Sequence, residues 1–191
     1  MACMHRLLQS LGPREAAHGW RVARYAYFIG ERLHLSAAAL GALLRAAEFH
    51  DIGKAVTAGD TATVADSADA ADFHAVAGYL LLARFPSASM QLAANIALTH
   101  HERWDGHGRP RGLHWEQICV EARIVALADR FDEWILAAEE APASAARHAA
   151  LRVWAESAKA FDPQCVQAFA EALEPIQVIA LATRDSDRTQ P

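Results

Sequence analysis

Residues 100–110 read HHERWDGHGRP, and residues 50–54 read HDIGK. Each string closes an apolar, helix-like run with histidine and a carboxylate and then reaches glycine, the residue type that ends helices. His50 follows the alanine- and leucine-rich stretch after Ser36, and His100 follows the one after Ser87. Successive side chains on a helix point ~100° apart and rarely share a target. At a helix end the backbone bends, so both members of His50–Asp51 and of His100–His101 can turn toward one point. Neutral imidazoles and carboxylates are ligands for zinc, iron or manganese. A carboxylate among several histidines can bridge two such ions, and a two-ion site points to phosphoryl-type hydrolysis.

Outward from these strings the pattern is helical. Pro13 suits a first helical position, and Arg14 to about Leu33 carries Val22, Tyr25, Ala26 and Ile29 on one face. Ser36 caps a second helix that runs through His50–Asp51 and stops at Gly53. Residues 55–68 read as loop. Asp69 or Asp72 caps a third helix ending before Pro86, and Ser87 caps a fourth that reaches His101. Three glycines and a proline make 104–113 a loop. Further helices are expected from about Glu116 to Ala138, from Ser144 to about Ala160, and from Asp162–Pro163 to about Leu173. The fold class is therefore all-α, a bundle of about seven helices. Residues 1–12 form a lead, 13–175 one domain, and 176–191 a tail that is polar and frayed from Arg184. With only a dozen residues ahead of the first helix, no attached regulatory domain is expected.

Composition sets the outer bounds. A chain of 191 residues with 53% hydrophobic residues can build one substantial core. No apolar run approaches the ~20 residues that span a bilayer, and Met1–Ser10 lacks a signal-peptide core, so no membrane association is expected. Cys3, Cys119 and Cys165 are an odd number without a CxxC pair, which suits a reducing cytoplasm without disulfides. The net charge of −5 argues against broad nucleic-acid binding, DNA included. An anionic small substrate stays open, because bound cations invert the local field. Lysine occurs only at Lys54 and Lys159, and the first of these closes HDIGK.

Three single residues can complete an ion-binding shell. His18 lies mid-helix on the stripe with Val22 and Tyr25. His74 lies early in the third helix, on the face of Gly78. Asp129 lies in the apolar stretch ARIVALADRF, where an unpaired carboxylate is costly to bury. Each has a plainer reading. A lone histidine is more often hydrogen-bonded or at the surface. Asp129 alone could pair with Arg123 or Arg130, and Arg21 and Arg24 read as solvated helix-face charges or ion-pair partners. The set, rather than any one member, favours a metal centre.

HDIGK, then HHERWDGHGRP, then EARIVALADRFD resembles the HD-GYP subgroup of the HD phosphohydrolase superfamily. The match runs from HGWRVARYA, at His18, to FDPQCVQAF. It implies an HD-domain helical bundle that linearises cyclic di-GMP, in some members onward to GMP, using iron or manganese ions. Carried over, it implies that His18, His50, Asp51 and Asp129 hold one metal. Asp51 bridges to a second metal held with His74, His100 and His101. A hydroxide shared by the two divalent transition-metal ions would attack phosphorus, with iron or manganese favoured over zinc. Lys54 would touch a phosphate oxygen or protonate the leaving oxygen. Glu102 would orient a histidine, while Asp105, Gly106, Gly108 and Pro110 shape the loop beside the site.

The chain also departs from that subgroup. The triplet is Gly108-Arg109-Pro110 in place of Gly-Tyr-Pro, and Glu139 and Glu140 stand where phosphate-holding cations are expected. The link from HDIGK to His74 is shorter, without the Lys-Pro-Gly turn. Arg14 stands where three-metal members carry glutamate, which favours two ions. Arg109, with Arg111, is expected to supply part of the missing phosphate clamp. Two rival readings remain: hydrolysis of another nucleotide phosphoester, and a signalling module that docks a partner protein on the Gly108–Gly112 loop.

Overall fold

The computed structural model describes residues 11–57 and 68–188. Nine α-helices are present among them: α1 (Pro13–Arg32), α2 (Ala37–Ala47), α3 (Lys54–Thr57), α4 (Ala68–Leu82), α5 (Ala88–Thr99), α6 (Val120–Ala137), α7 (Pro142–Ala155), α8 (Pro163–Glu171) and α9 (Leu173–Arg188). No strand is present among the described residues. The expected caps are in place. Ser36 Oγ accepts the Ala39 N–H at 3.2 Å, Ser87 Oγ accepts that of Met90 at 3.4 Å, and Asp162 Oδ1 accepts that of Gln164 at 2.8 Å. Each satisfies one of the orphan donors of a first turn.

Several boundaries differ from the sequence reading. The second helix ends at Ala47, so His50 and Asp51 lie in the tight turns that follow rather than in the helix. Those turns free both side chains from the ~100° helical spacing. The expected loop at 55–68 begins with the short helix α3, and its portion 58–67 lies outside the described residues. Helix α4 starts at Ala68 and thus contains Asp69 and Asp72, whose side chains lie outside the described ones. A 3-10 turn at Trp115–Gln117 precedes α6, which starts at Val120. Helix α7 begins at Pro142, a proline at N1, and ends at Ala155, short of Ala160. The count exceeds seven through α3 and α9. Ile176 and Ala180 of α9 are buried in the core, so the first part of the expected tail belongs to the helical body. Polarity at Arg184 and beyond had masked this short apolar repeat.

Helices α1 and α6 cross at the centre. Val22, Tyr25, Ala26 and Ile29 meet Ile124, Leu127, Ala128 and Phe131, all fully buried. The rings of Tyr25 and Phe131 lie 5.7 Å apart, and Phe169 of α8 joins at 5.0 Å. Large side chains buried to this degree contribute roughly 1.5–3 kcal/mol each. Helix α2 packs on α1 and α5, while α4 packs on α3 and α5. One end of the bundle thus collects α1, the turn after α2, α4, the end of α5, and α6. Among the described residues no single helix is long and apolar enough to cross a membrane. The pair α8–α9 passes by length and composition together, but it bends by 73°, and its Phe169 and Ile176 lie in the core.

Candidate metal centre

At that end, seven side chains from five segments converge. His18 comes from α1, His50 and Asp51 from the turn after α2, and His74 from α4. His100 and His101 come from the end of α5, and Asp129 from α6. All are buried except His101, which is partly so. Two groups form, His18–His50–Asp129 and His74–His100–His101, each with donor atoms close enough to share one ion. In the first, His18 Nε2 lies 3.0 Å and His50 Nε2 3.5 Å from Asp129 Oδ1. In the second, His74 Nε2 lies 3.4 Å from His100 Nε2 and 3.1 Å from His101 Nε2.

Asp51 stands between them. Its Oδ2 is 3.8 Å from His18 Nε2 and 3.5 Å from His50 Nε2. Its Oδ1 is 3.2 Å from His74 Nε2 and 3.7 Å from His100 Nε2. One oxygen thus faces each group. Gly53 makes this approach possible: a Cβ there would lie 1.9 Å from the His74 carbonyl oxygen and 2.7 Å from the Gly78 nitrogen.

The imidazoles present the right atoms. His50 Nδ1 donates to the Ala47 carbonyl at 2.9 Å, and His100 Nδ1 to that of Ala97 at 2.9 Å. A carbonyl can only accept, so each Nε2 lone pair faces inward. His50 Nε2 and Asp129 Oδ1 are buried without a hydrogen-bond partner. Such orphaned acceptors are costly unless a cation satisfies them, and nitrogen and carboxylate donors suit a divalent transition metal. The residues therefore fit a metal ion.

Protonation differs between the groups. Burial opposes the charged form of His18, but Asp129 and Asp132 on either side raise it to about 10. Burial, with Asp51 and Asp129 opposing, and the neighbouring His74 push His101 down to about 4. His100 is driven low by burial and by His101. Burial would raise the Asp51 carboxyl, yet His50, His74 and Lys54 hold it well below the usual range. The carboxylates are thus anionic, and His100 and His101 are neutral near neutral pH.

Residues 2–165 match the HD domain family. The chain belongs to the HD domain family. This HD domain is 32% identical over 174 residues to the cyclic di-GMP phosphodiesterase of Thermotoga maritima, covering 88% of the chain and 46% of that protein. It is 37% identical over 153 residues to the cyclic di-GMP phosphodiesterase response regulator RpfG of Xanthomonas campestris pv. campestris, covering 78% and 40%. A solved structure of a cyclic GMP-AMP specific phosphodiesterase from Vibrio cholerae shares the fold, with a TM-score of 0.68 at 20% identity. That likeness covers 90% of this chain and 47% of the other. The HD domain thus spans less than half the length of these relatives.

The loop after His101 departs from expectation in one respect. Glu102 does not orient a histidine: its two oxygens accept the N–H groups of Arg111 at 2.7 Å and Leu113 at 3.0 Å. The side chain folds the loop back on itself. Gly108 sits inside this clamp, where a Cβ would lie 2.1 Å from the Arg103 nitrogen. Gly106 takes a left-handed φ of 81°, and Arg109–Pro110 is a cis bond. Asp105 pairs with Arg103 at 2.8 Å and accepts the His107 N–H at 3.1 Å. The Arg109 N–H donates to the His101 carbonyl at 3.2 Å, fastening the loop to the end of α5. Arg109 and Arg111 are exposed.

The plainer reading of Asp129 fails. Asp129 pairs with neither arginine, since Arg123 binds Asp162 at 2.6 Å and Arg130 binds Glu133 at 2.8 Å. Of the two readings of Arg21, the ion pair holds: it is 2% exposed and pairs with Asp132. Asp132 was missed in the sequence. It accepts His18 Nδ1 at 2.8 Å. The signal was a second carboxylate three residues after Asp129 in the same apolar helix, with the same burial cost.

Proposed function

We propose that this HD domain is a metal-dependent phosphodiesterase of cyclic dinucleotides, with cyclic di-GMP, opened to pGpG and onward to GMP, as the leading substrate. The observation that carries the reading is Asp51, whose two oxygens face two separate donor groups. His18, His50 and Asp129 would hold one ion, His74, His100 and His101 a second, and Asp51 both. These donors suit iron, manganese or zinc, and the resemblance to the HD-GYP subgroup favours iron or manganese. Two such ions, when bound, supply an activated water and neutralise charge on phosphoryl oxygens. Curated relatives named as cyclic di-GMP phosphodiesterases support the substrate class. Cys119 and Cys165 are free thiols, in keeping with a cytoplasmic setting.

The chain's own groups have distinct tasks. The Asp51 carboxylate fixes the spacing of the two donor groups. Burial alone would lower the Lys54 ammonium, but Asp51 beside it keeps it protonated. It is therefore a cation and a proton donor for a phosphate or leaving oxygen. Arg109 and Arg111, on a loop tied to His101, offer cations to the second phosphate.

The test is metal analysis of protein purified without chelator, paired with turnover on cyclic di-GMP, 3'3'-cGAMP and cyclic di-AMP. About two ions per chain and hydrolysis of at least one substrate are expected. Protein that holds no transition metal, takes none up and leaves all three intact overturns the reading.

Lys54→Ala is expected to keep metal binding and to cut turnover by ~10²–10⁴-fold, the range of a general acid. Loss of metal with activity falling in proportion would make Lys54 structural.

Arg109→Ala is expected to weaken substrate binding roughly ten- to a hundredfold, since a charge-assisted hydrogen bond is worth ~1.5–3 kcal/mol. Arg109→Lys recovers only part, because an ammonium cannot form the planar fork. Unchanged affinity in calorimetry would remove Arg109 from the substrate site and turn the Gly108–Gly112 loop into a docking face for a signalling partner.

A further inference from the structure

The two donor groups of the HD domain are not built alike. Behind His18 stands Asp132, 1% exposed, with every oxygen committed. Its Oδ2 accepts His18 Nδ1 at 2.8 Å and Arg21 Nη2 at 3.0 Å. Its Oδ1 accepts Arg21 Nε at 2.9 Å and the Tyr25 hydroxyl at 3.1 Å. Arg21 and Tyr25 are themselves buried. His18, Arg21 and Tyr25 lie on one face of α1, and Asp129 and Asp132 on one face of α6. The register of the two helices thus aligns the donor and the carboxylate behind it.

A carboxylate on the far nitrogen of an imidazole fixes its tautomer and makes the near nitrogen a stronger donor. The same group also has Asp129 as a second negative donor, 3.0 Å from His18 Nε2. Among the described residues the other group has three imidazoles and one carboxylate, the shared Asp51. His100 there leans on the main-chain carbonyl of Ala97, and His101 is partly exposed. A divalent cation meets more negative charge, firmer donors and less solvent at His18.

We infer that the two sites are unequal and fill in order: Asp132 is a positioning residue that makes the His18–His50–Asp129 site the tight one. The His74–His100–His101 site fills second and releases its ion first. This rests on the two-ion reading above, and the experiment separates the two.

The whole chain, stripped with chelator, is titrated with Mn²⁺ and followed by electron paramagnetic resonance. The first equivalent is expected to give the spectrum of an isolated bound ion, and the second to convert it to that of a coupled pair. Asp132→Asn places an amide N–H against His18 Nδ1, which favours the tautomer with the proton on Nε2. It is expected to weaken the first step roughly 10–100-fold, in the range for outer partners of metal ligands, and to leave the second step nearly unchanged. In a His18→Ala background the same change is expected to add nothing.

Because Asp132→Asn also strips Arg21 of its anion, Tyr25→Phe serves as the gentler variant. It keeps the ring, removes one hydrogen bond to Asp132, and is expected to weaken only the first step, by roughly two- to tenfold. A coupled spectrum from the first addition, or variants that weaken both steps alike, overturns the ordering while leaving two ions in place. Absence of any bound Mn²⁺ overturns both the ordering and the two-ion reading.

Discussion

Asp51→Ala is expected to strip the HD domain of both metals at once, the largest loss from any single change at the site. Every other donor belongs to one group. Asp51 alone serves both, with Oδ1 3.2 Å from His74 and Oδ2 3.5 Å from His50. Its loss removes the anion shared by four imidazoles, those of His18, His50, His74 and His100, and leaves their nitrogens crowded in a buried pocket. Metal affinity should fall by more than the ~10–100-fold seen for outer partners of ligands, and turnover should be lost with it. His18→Ala, by contrast, should remove mainly one ion. Elemental analysis of both variants beside the unaltered protein decides the matter. If Asp51→Ala retained two ions per chain and full turnover, the bridging assignment would be wrong.

Gly53→Ala is expected to be the most damaging single added methyl group among the described glycines. The added Cβ would lie 1.9 Å from the His74 carbonyl oxygen and 2.7 Å from the Gly78 nitrogen. Both are main-chain atoms of α4, so no rotamer change relieves the overlap. The turn and the helix must part, and His74 then moves away from Asp51. Overpacking of this kind costs ~1–3 kcal/mol and sometimes more. With a backbone obstacle the upper end is expected, so Tm should fall by roughly 6–12 °C for a chain of this size. The variant should also lose the ion held by His74 before the one held by His18. A thermal melt within 2–3 °C of the unaltered protein, about one kcal/mol or less, would show that the turn has room to yield.

The sequence by itself determined the helical class, the caps at Ser36, Ser87 and Asp162, and the seven candidate donors. Those features are local: a cap is satisfied within three residues, and a histidine pair at a helix end is visible in its own string. It also marked Asp129, because an unpaired carboxylate in an apolar helix announces a partner without naming it. What only the tertiary structure decided is which side chain answers which across elements far apart in the chain. That Asp51 divides its oxygens between two groups depends on the turn after α2 pressing against α4 at Gly53. That Arg21 is buried depends on Asp132, 111 residues later, meeting it across the α1–α6 contact. Glu102 was expected to face a histidine and instead holds the main chain of Arg111 and Leu113. Helix periodicity is written in the spacing of apolar residues along the chain. The pairing of buried charges is settled by the register of packed helices, which no single stretch of sequence contains.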